Sequence, residues 1–155
     1  MPPVPNDTLP SFADTGLWTA SIDGSSLPNP GAMAIGAVIL APDGSRHVLS
    51  QALHAQGCNN EAELRALIAV LRRLRGLHAA RVSISTDSSI LVEQLASVRR
   101  TPRPILRLAA LFEEARTMLQ GFEQVQLRWV PRHRNTEADL LARAAFGRAQ
   151  DGSAV

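Results

Sequence analysis

The chain has 155 residues, 45% of them apolar, with sixteen basic against fourteen acidic side chains and a formal net charge of +2. This balance excludes a disordered or collagen-like chain, and no apolar run approaches the roughly eighteen residues that a membrane span needs. The single cysteine, Cys58, excludes an intrachain disulfide framework and a thiolate zinc cluster, so any metal must rely on oxygen or imidazole ligands.

Pro2, Pro3, Pro5 and Pro10 mark residues 1–16 as a flexible tail, and residues 150–155 read as a second one, leaving residues 17–149 as one domain. The first tail has neither a basic start nor an apolar signal core, which implies a cytoplasmic protein. Residues 18–23 alternate as a short strand ending at Asp23, followed by a Gly/Ser/Pro/Asn loop through Gly31. Residues 34–41 and 46–55 flank Pro42-Asp43-Gly44-Ser45, which is hairpin chemistry. Leu64, Leu67, Ile68, Leu71 and Leu74 then share one helical face, with Gly76 as the stop. Val82, Ile84 and Thr86 alternate with Ser83, Ser85 and Asp87 in a strand that runs into Ser88 and Ser89, caps for a helix through Ala96. After Pro102 and Pro104 come a helix over about 105–120, a strand over 122–130, and a last helix to about Arg148 capped by Asn135. The order βββαβααβα describes an α/β fold with a five-stranded mixed sheet: an antiparallel meander, then parallel strands reached through helices on both faces. Trp18 and Trp129 fall at strand positions and read as core.

Four acids occupy positions that solvation does not require. Asp23 ends the first strand and Asp87 the fourth, while Glu63 and Asp139 lie in the first turns of the first long helix and the last helix. If those two strands are parallel neighbours, Asp23 and Asp87 emerge together at their carboxyl ends, where open sheets bind ligands. Carboxylates this close repel unless a cation lies between them, and an all-oxygen set suits Mg²⁺ or Mn²⁺. Two such ions about 4 Å apart form the usual clamp for phosphodiester displacement. Each acid also has a purely structural reading. Glu63 three residues after Asn60 makes a capping box, Asp139 four before Arg143 makes a helix-surface pair, and Asp23 and Asp87 suit turns. Convergence of all four on one sheet edge is the argument for a metal site.

Four strings occur in order: Asp23-Gly24-Ser25-Ser26-Leu27-Pro28-Asn29-Pro30-Gly31, Asn59-Asn60-Glu61-Ala62-Glu63-Leu64, Ser85-Thr86-Asp87-Ser88 and Asn135-Thr136-Glu137-Ala138-Asp139. Together they resemble ribonuclease H type 1, in a compact form. The resemblance implies a ribonuclease H-like fold and a Mg²⁺-dependent endonuclease that cuts the RNA strand of RNA/DNA hybrids, leaving 5′-phosphate and 3′-hydroxyl ends. It makes Asp23, Glu63, Asp87 and Asp139 ligands of two Mg²⁺ ions, with Mn²⁺ as a substitute. Asp23 would bridge both ions, Asp87 and Glu63 hold the one on the leaving-group side, and Asp139 the one that activates water. Asn29, Asn59 and Asn60 match positions that touch the hybrid, a task suited to amides facing 2′-hydroxyls and base edges.

Departures from the family pattern carry their own expectations. Cys58 stands where the resemblance implies, for many relatives, a threonine that helps hold a DNA phosphate, and a thiol is a poorer donor. His133, two residues before Asn135, lacks the long histidine loop that the resemblance implies for some relatives; it either assists proton transfer or product release, or is a surface histidine between two arginines. His47, His54 and His78 match no motif and read as structural. The family's basic handle is missing, so Arg99, Arg100 and Arg103 become the candidates for phosphate contact, with a solvated loop as the other reading. All the basic residues are arginine. Residues 1–45 have none and four acids, whereas residues 65–107 have nine and two acids. That asymmetry suits a polyanionic partner, and no membrane or obligate protein partner is implied. The competing function is a non-catalytic module of the same fold that binds RNA/DNA hybrid or duplex RNA.

Overall fold

The computed structural model describes residues 16–96 and 105–150, with Gln150 described by its backbone alone. Arg99, Arg100 and Arg103, and both terminal tails apart from Gly16 and Gln150, lie outside the described residues. Five strands form one sheet in the order β3-β2-β1-β4-β5. They are β1 (Leu17–Leu27), β2 (Gly31–Leu40), β3 (Arg46–Gly57), β4 (Arg81–Thr86) and β5 (Gln124–Trp129). β1, β2 and β3 pair antiparallel, while β1/β4 and β4/β5 pair parallel. The helices are α1 (Asn59–Gly76), α2 (Ser89–Leu95), α3 (Ala109–Leu119) and α4 (Thr136–Gln150). Short 3₁₀ turns at Leu106–Leu108 and Arg132–Arg134 lead into α3 and α4. No helix among the described residues is long and apolar enough to cross a membrane.

The expected hairpin closes as its chemistry requires. Gly44 takes a positive φ of 87°, and Ser45 N–H bonds the Asp43 carboxylate at 2.8 Å. The leucine face of α1 is fully buried against Ala20, Ile22, Ile35, Ala37, Ile39, Val82 and Ile84. Burying a leucine of this kind is worth about 2–5 kcal/mol by truncation, which fixes α1 on its face of the sheet. Ala138, Ala142 and Ala145 of α4 are buried, and Ser50 Oγ donates to Leu141 O at 2.6 Å. β2 is therefore buried on both faces.

Two boundaries differ from the sequence expectation. β1 does not stop at Asp23: antiparallel pairing with β2 continues through Leu27↔Ala32, although Gly-Ser-Ser is turn-like in composition. What ends at this point is the parallel ladder to β4, whose last pair is Ile22↔Thr86. α1 begins at Asn59 with Cys58 as its N-cap, so Asn60 is no cap, the capping-box reading fails, and Glu63 stands in the second turn. α1 does end at Gly76, but the left-handed residue is His78, with φ 62°.

Candidate active site

The end of the β1/β4 ladder sets the site. Beyond Ile22↔Thr86, Asp23 and Asp87 leave adjacent parallel strands. Two glycines bring the helices to them. A Cβ on Gly24 would lie 2.2 Å from Ala62 O, and one on Gly36 would lie 2.2 Å from Ala138 O. Hydrogen in place of a side chain thus allows α1 and α4 to touch the sheet backbone, each one residue before an acid, Glu63 and Asp139.

Carboxylate oxygens of Asp23, Glu63 and Asp87 all lie within 4.8 Å of one another. Asp23 and Glu63 are buried, at 6% and 9% exposure. Burial, then the charges of Asp87 and Asp139, push the Asp23 carboxyl up to about 7. Burial, then Asp23 and Asp87, push Glu63 well above the usual carboxylate range. Glu63 Oε2 is buried without a hydrogen-bond partner. A buried, mutually repelling, oxygen-only set with an orphaned acceptor fits a hard divalent cation.

Asp139 lines the same cleft, of about 530 Å³, with Asp23, Glu63, Asn59, Arg132, Arg143 and Phe146. It stands outside the tight trio of acids, and its carboxylate takes Arg143 Nε at 3.2–3.3 Å, so the expected helix-surface pair is also present. The structure therefore clusters three of the four expected acids and sets the fourth beside Asp23 in the same cleft.

The asparagines divide. Asn59 Oδ1 accepts from Ser26 N–H at 2.8 Å, and Asn29 Oδ1 accepts from Asn59 N–H at 3.1 Å. These bonds tie the β1–β2 turn to the start of α1 and use the carbonyl oxygens, while both NH₂ groups have no hydrogen-bond partner among the described residues. Asn60 is half-buried, with no side-chain hydrogen bond there either.

Cys58 accepts from Glu61 N–H at 3.4 Å and from Arg107 at 2.9 Å. Burial pushes its thiol up, but these donors outweigh it and hold the thiol below its ordinary value. His133 is exposed in the 3₁₀ turn before α4.

Two expectations are corrected here. Trp129 is 53% exposed rather than core, because β5 is the sheet's outer strand; its indole N–H donates to Asp87 O at 3.2 Å. Trp18 is half-buried and packs against the core. Asn135 flanks α4, but its side chain forms no cap: Oδ1 has no partner and Nδ2 bonds β1 and Asp87 instead. Sequence reasoning also missed Gly24 and Gly36 as contact points, and Arg107, Arg132 and Arg143 as cations near the cleft. Arg143 stands one turn after Asp139 on α4 and follows from the helix-face spacing that pairs the two.

An acid cluster at the carboxyl edge of a mixed sheet, with helices seated on glycines at either face, defines the class. Residues 21–145 match the family described as reverse transcriptase-like. The chain is 31% identical to ribonuclease HI of Synechocystis sp. over 142 residues, 83% of this chain and 86% of that protein. It is 37% identical over 135 residues to bifunctional protein Rv2228c of Mycobacterium tuberculosis, covering 86% of this chain but only 36% of that protein. The chain thus spans about a third of the length of that relative. The solved N-terminal RNase H domain of Rv2228c, a fusion with maltose binding protein, superposes with a TM-score of 0.74 at 34% identity. That superposition covers 83% of this chain and 98% of the other. LC11-RNase H1, solved in complex with an RNA/DNA hybrid, gives 0.73 at 26% identity, covering 86% and 99%. The chain belongs to the ribonuclease HI family.

Proposed function

We propose that the chain is an endonuclease that hydrolyses the RNA strand of RNA/DNA hybrids at the Asp23–Glu63–Asp87 cluster. The observation that carries this reading is three carboxylates within 4.8 Å, two of them buried, at the edge of a fold whose named relatives are ribonucleases HI. A module that only bound hybrid would keep the repulsion and gain nothing from it, which weighs against the non-catalytic alternative.

Asp23, Glu63 and Asp87 would hold divalent cations, Mg²⁺ or Mn²⁺, with Asp139 contributing from beside Asp23. When bound, such ions make water nucleophilic near neutral pH and stabilise charge developing on phosphoryl and leaving oxygens. Water attacks phosphorus, the P–O3′ bond breaks, and the products are a 5′-phosphate and a 3′-hydroxyl. Asp23 and Glu63, desolvated and already crowded, are held where a cation would favour their ionised forms, so that ion binding would release protons without rearranging the side chains. Arg143 holds the Asp139 carboxylate. The NH₂ groups of Asn29 and Asn59, with Asn60 beside them, are donors for base edges and 2′-hydroxyls in the wide minor groove of an A-like duplex. Arg132, Arg143 and Arg107 would take phosphates, joined by Arg99, Arg100 and Arg103; such contacts position the duplex and read no sequence. His133 is the remaining candidate for proton transfer or product release. The cytoplasm supplies both hybrid and divalent cation, and is the compartment we assign.

The test is a labelled RNA/DNA hybrid beside duplex DNA and duplex RNA, each with Mg²⁺, Mn²⁺ or chelator. Metal-dependent cleavage confined to the RNA strand of the hybrid is expected. Hybrid binding without cleavage in either metal would overturn the proposal in favour of the binding module.

A further inference from the structure

Asn135 is 1% exposed and joins the segments that carry three of the four acids. Its Nδ2 donates to Ile22 O at 2.8 Å, one residue before Asp23, and to Asp87 Oδ2 at 3.4 Å. Both partners only accept, so the amide has one possible orientation: reversed, its oxygen would face two others. Its own carbonyl accepts Asp139 N–H at 3.2 Å.

Asp87 depends on such help. It lies one residue past the last β4 pair, so no ladder fixes it. Its backbone is held by the Trp129 indole on Asp87 O and by Val130 N–H on Thr86 O at 2.8 Å. Its carboxylate has Asn135 as its one hydrogen-bond partner among the described residues. A neutral amide can orient that carboxylate without competing for it as a guanidinium would, and without adding a fifth acid to the edge.

We propose that Asn135 is a positioning residue for the reaction: its amide fixes the Asp87 carboxylate against β1, at the separation from Asp23 and Glu63 that a shared divalent cation requires. The inference rests on the metal-dependent reading above. It assigns to Asn135 a role through Asp87 and no contact with substrate.

The variants are Asn135→Leu, which keeps about the volume, adds no charge and loses both donors, and the smaller Asn135→Ser. Loss of an outer partner of this kind lowers kcat or metal affinity by about 10–100-fold. We expect that fall in kcat with KM and hybrid affinity in chelator nearly unchanged, and a higher Mg²⁺ concentration for half-maximal rate. Mn²⁺ binding measured by calorimetry on the protein alone should weaken in parallel. A lowered melting temperature with wild-type kcat and wild-type Mg²⁺ dependence per folded molecule would overturn the proposal and leave a structural role only. If neither variant folds, the wild-type protein decides by nuclear magnetic resonance. The Asn135 side-chain amide protons should exchange slowly and shift on Mg²⁺ titration; signals that stay put while the Gly24 backbone amide moves would overturn it. Wild-type protein that binds Mn²⁺ yet leaves hybrid uncut would sink the proposed activity without touching the calorimetric and resonance tests.

Discussion

Asp23 and Gly36 stand opposite each other across the β1–β2 ladder, and Gly36 is the point at which α4 meets the sheet. The acid and the seat of the helix that bears Asp139 thus share one rung. Gly24, the next residue along β1, is the seat of α1 and so of Glu63. Gly24→Ala and Gly36→Ala each put a Cβ about 2.2 Å from a helix carbonyl, so a helix must move. Overpacking of this kind costs about 1–3 kcal/mol, readable as a shift in the urea midpoint. Activity should fall by more than that loss of folded protein accounts for; variants with reduced stability but unaltered turnover per folded molecule would contradict the geometry.

Asp87→Asn removes one charge from the cluster and little shape. Cleavage should drop below detection while circular dichroism stays native. In chelator the variant should be more stable than wild type by on the order of 1 kcal/mol, because Asp23 and Glu63 lose a repelling neighbour. Full activity would refute the assignment, and lower stability in chelator would refute the repulsion.

The raised Asp23 carboxyl carries a sign for pH dependence. Folded Asp23 titrates near 7, against 3.8 for the ordinary group. Stability tied to its neutral form is therefore complete below about pH 4 and drains away as pH rises through 7. Chelated wild type should lose stability relative to Asp23→Asn between pH 5 and pH 8. Mg²⁺ should flatten that difference. Urea melts at four pH values check both statements, and a difference that grows toward acid would reverse the sign.

Arg107→Ala removes a donor that lowers the Cys58 thiol. The thiol should rise, its thiolate fraction at pH 7.5 should fall, and alkylation there should slow by a fewfold. The pH profile of alkylation measures the shift directly; an unchanged profile would mean that the backbone N–H groups of Glu61 and Asn60 set it.

How much of this was legible depended on whether neighbours or local chemistry decided the outcome. The hairpin at Gly44, the buried face of α1 and the emergence of Asp23 beside Asp87 follow from residue pattern and strand direction. The run of β1 through Gly24, Ser25 and Ser26 does not, because β2 imposes pairing on a sequence that locally prefers a turn. Glu63 has the spacing of a cap, and only the register of α1, set by Cys58, turns it into the site. Trp129 reads as core by alternation, yet it sits on the outermost strand, which a single chain pattern cannot reveal. Asn135 has the residue type of a cap, and its partner lies 113 positions away in sequence, at Ile22.

The exposed indole of Trp129, bonded to the Asp87 carbonyl, makes the site self-reporting. The chain has two tryptophans and no tyrosine, and Trp18 lies at the far end of its strand, paired with Val82 while Trp129 pairs with Thr86. Emission from this protein therefore comes from one lamp at each end of the sheet. A Trp18→Phe variant leaves the one beside the acids lit alone, so cation and hybrid occupancy can be followed by fluorescence without a label.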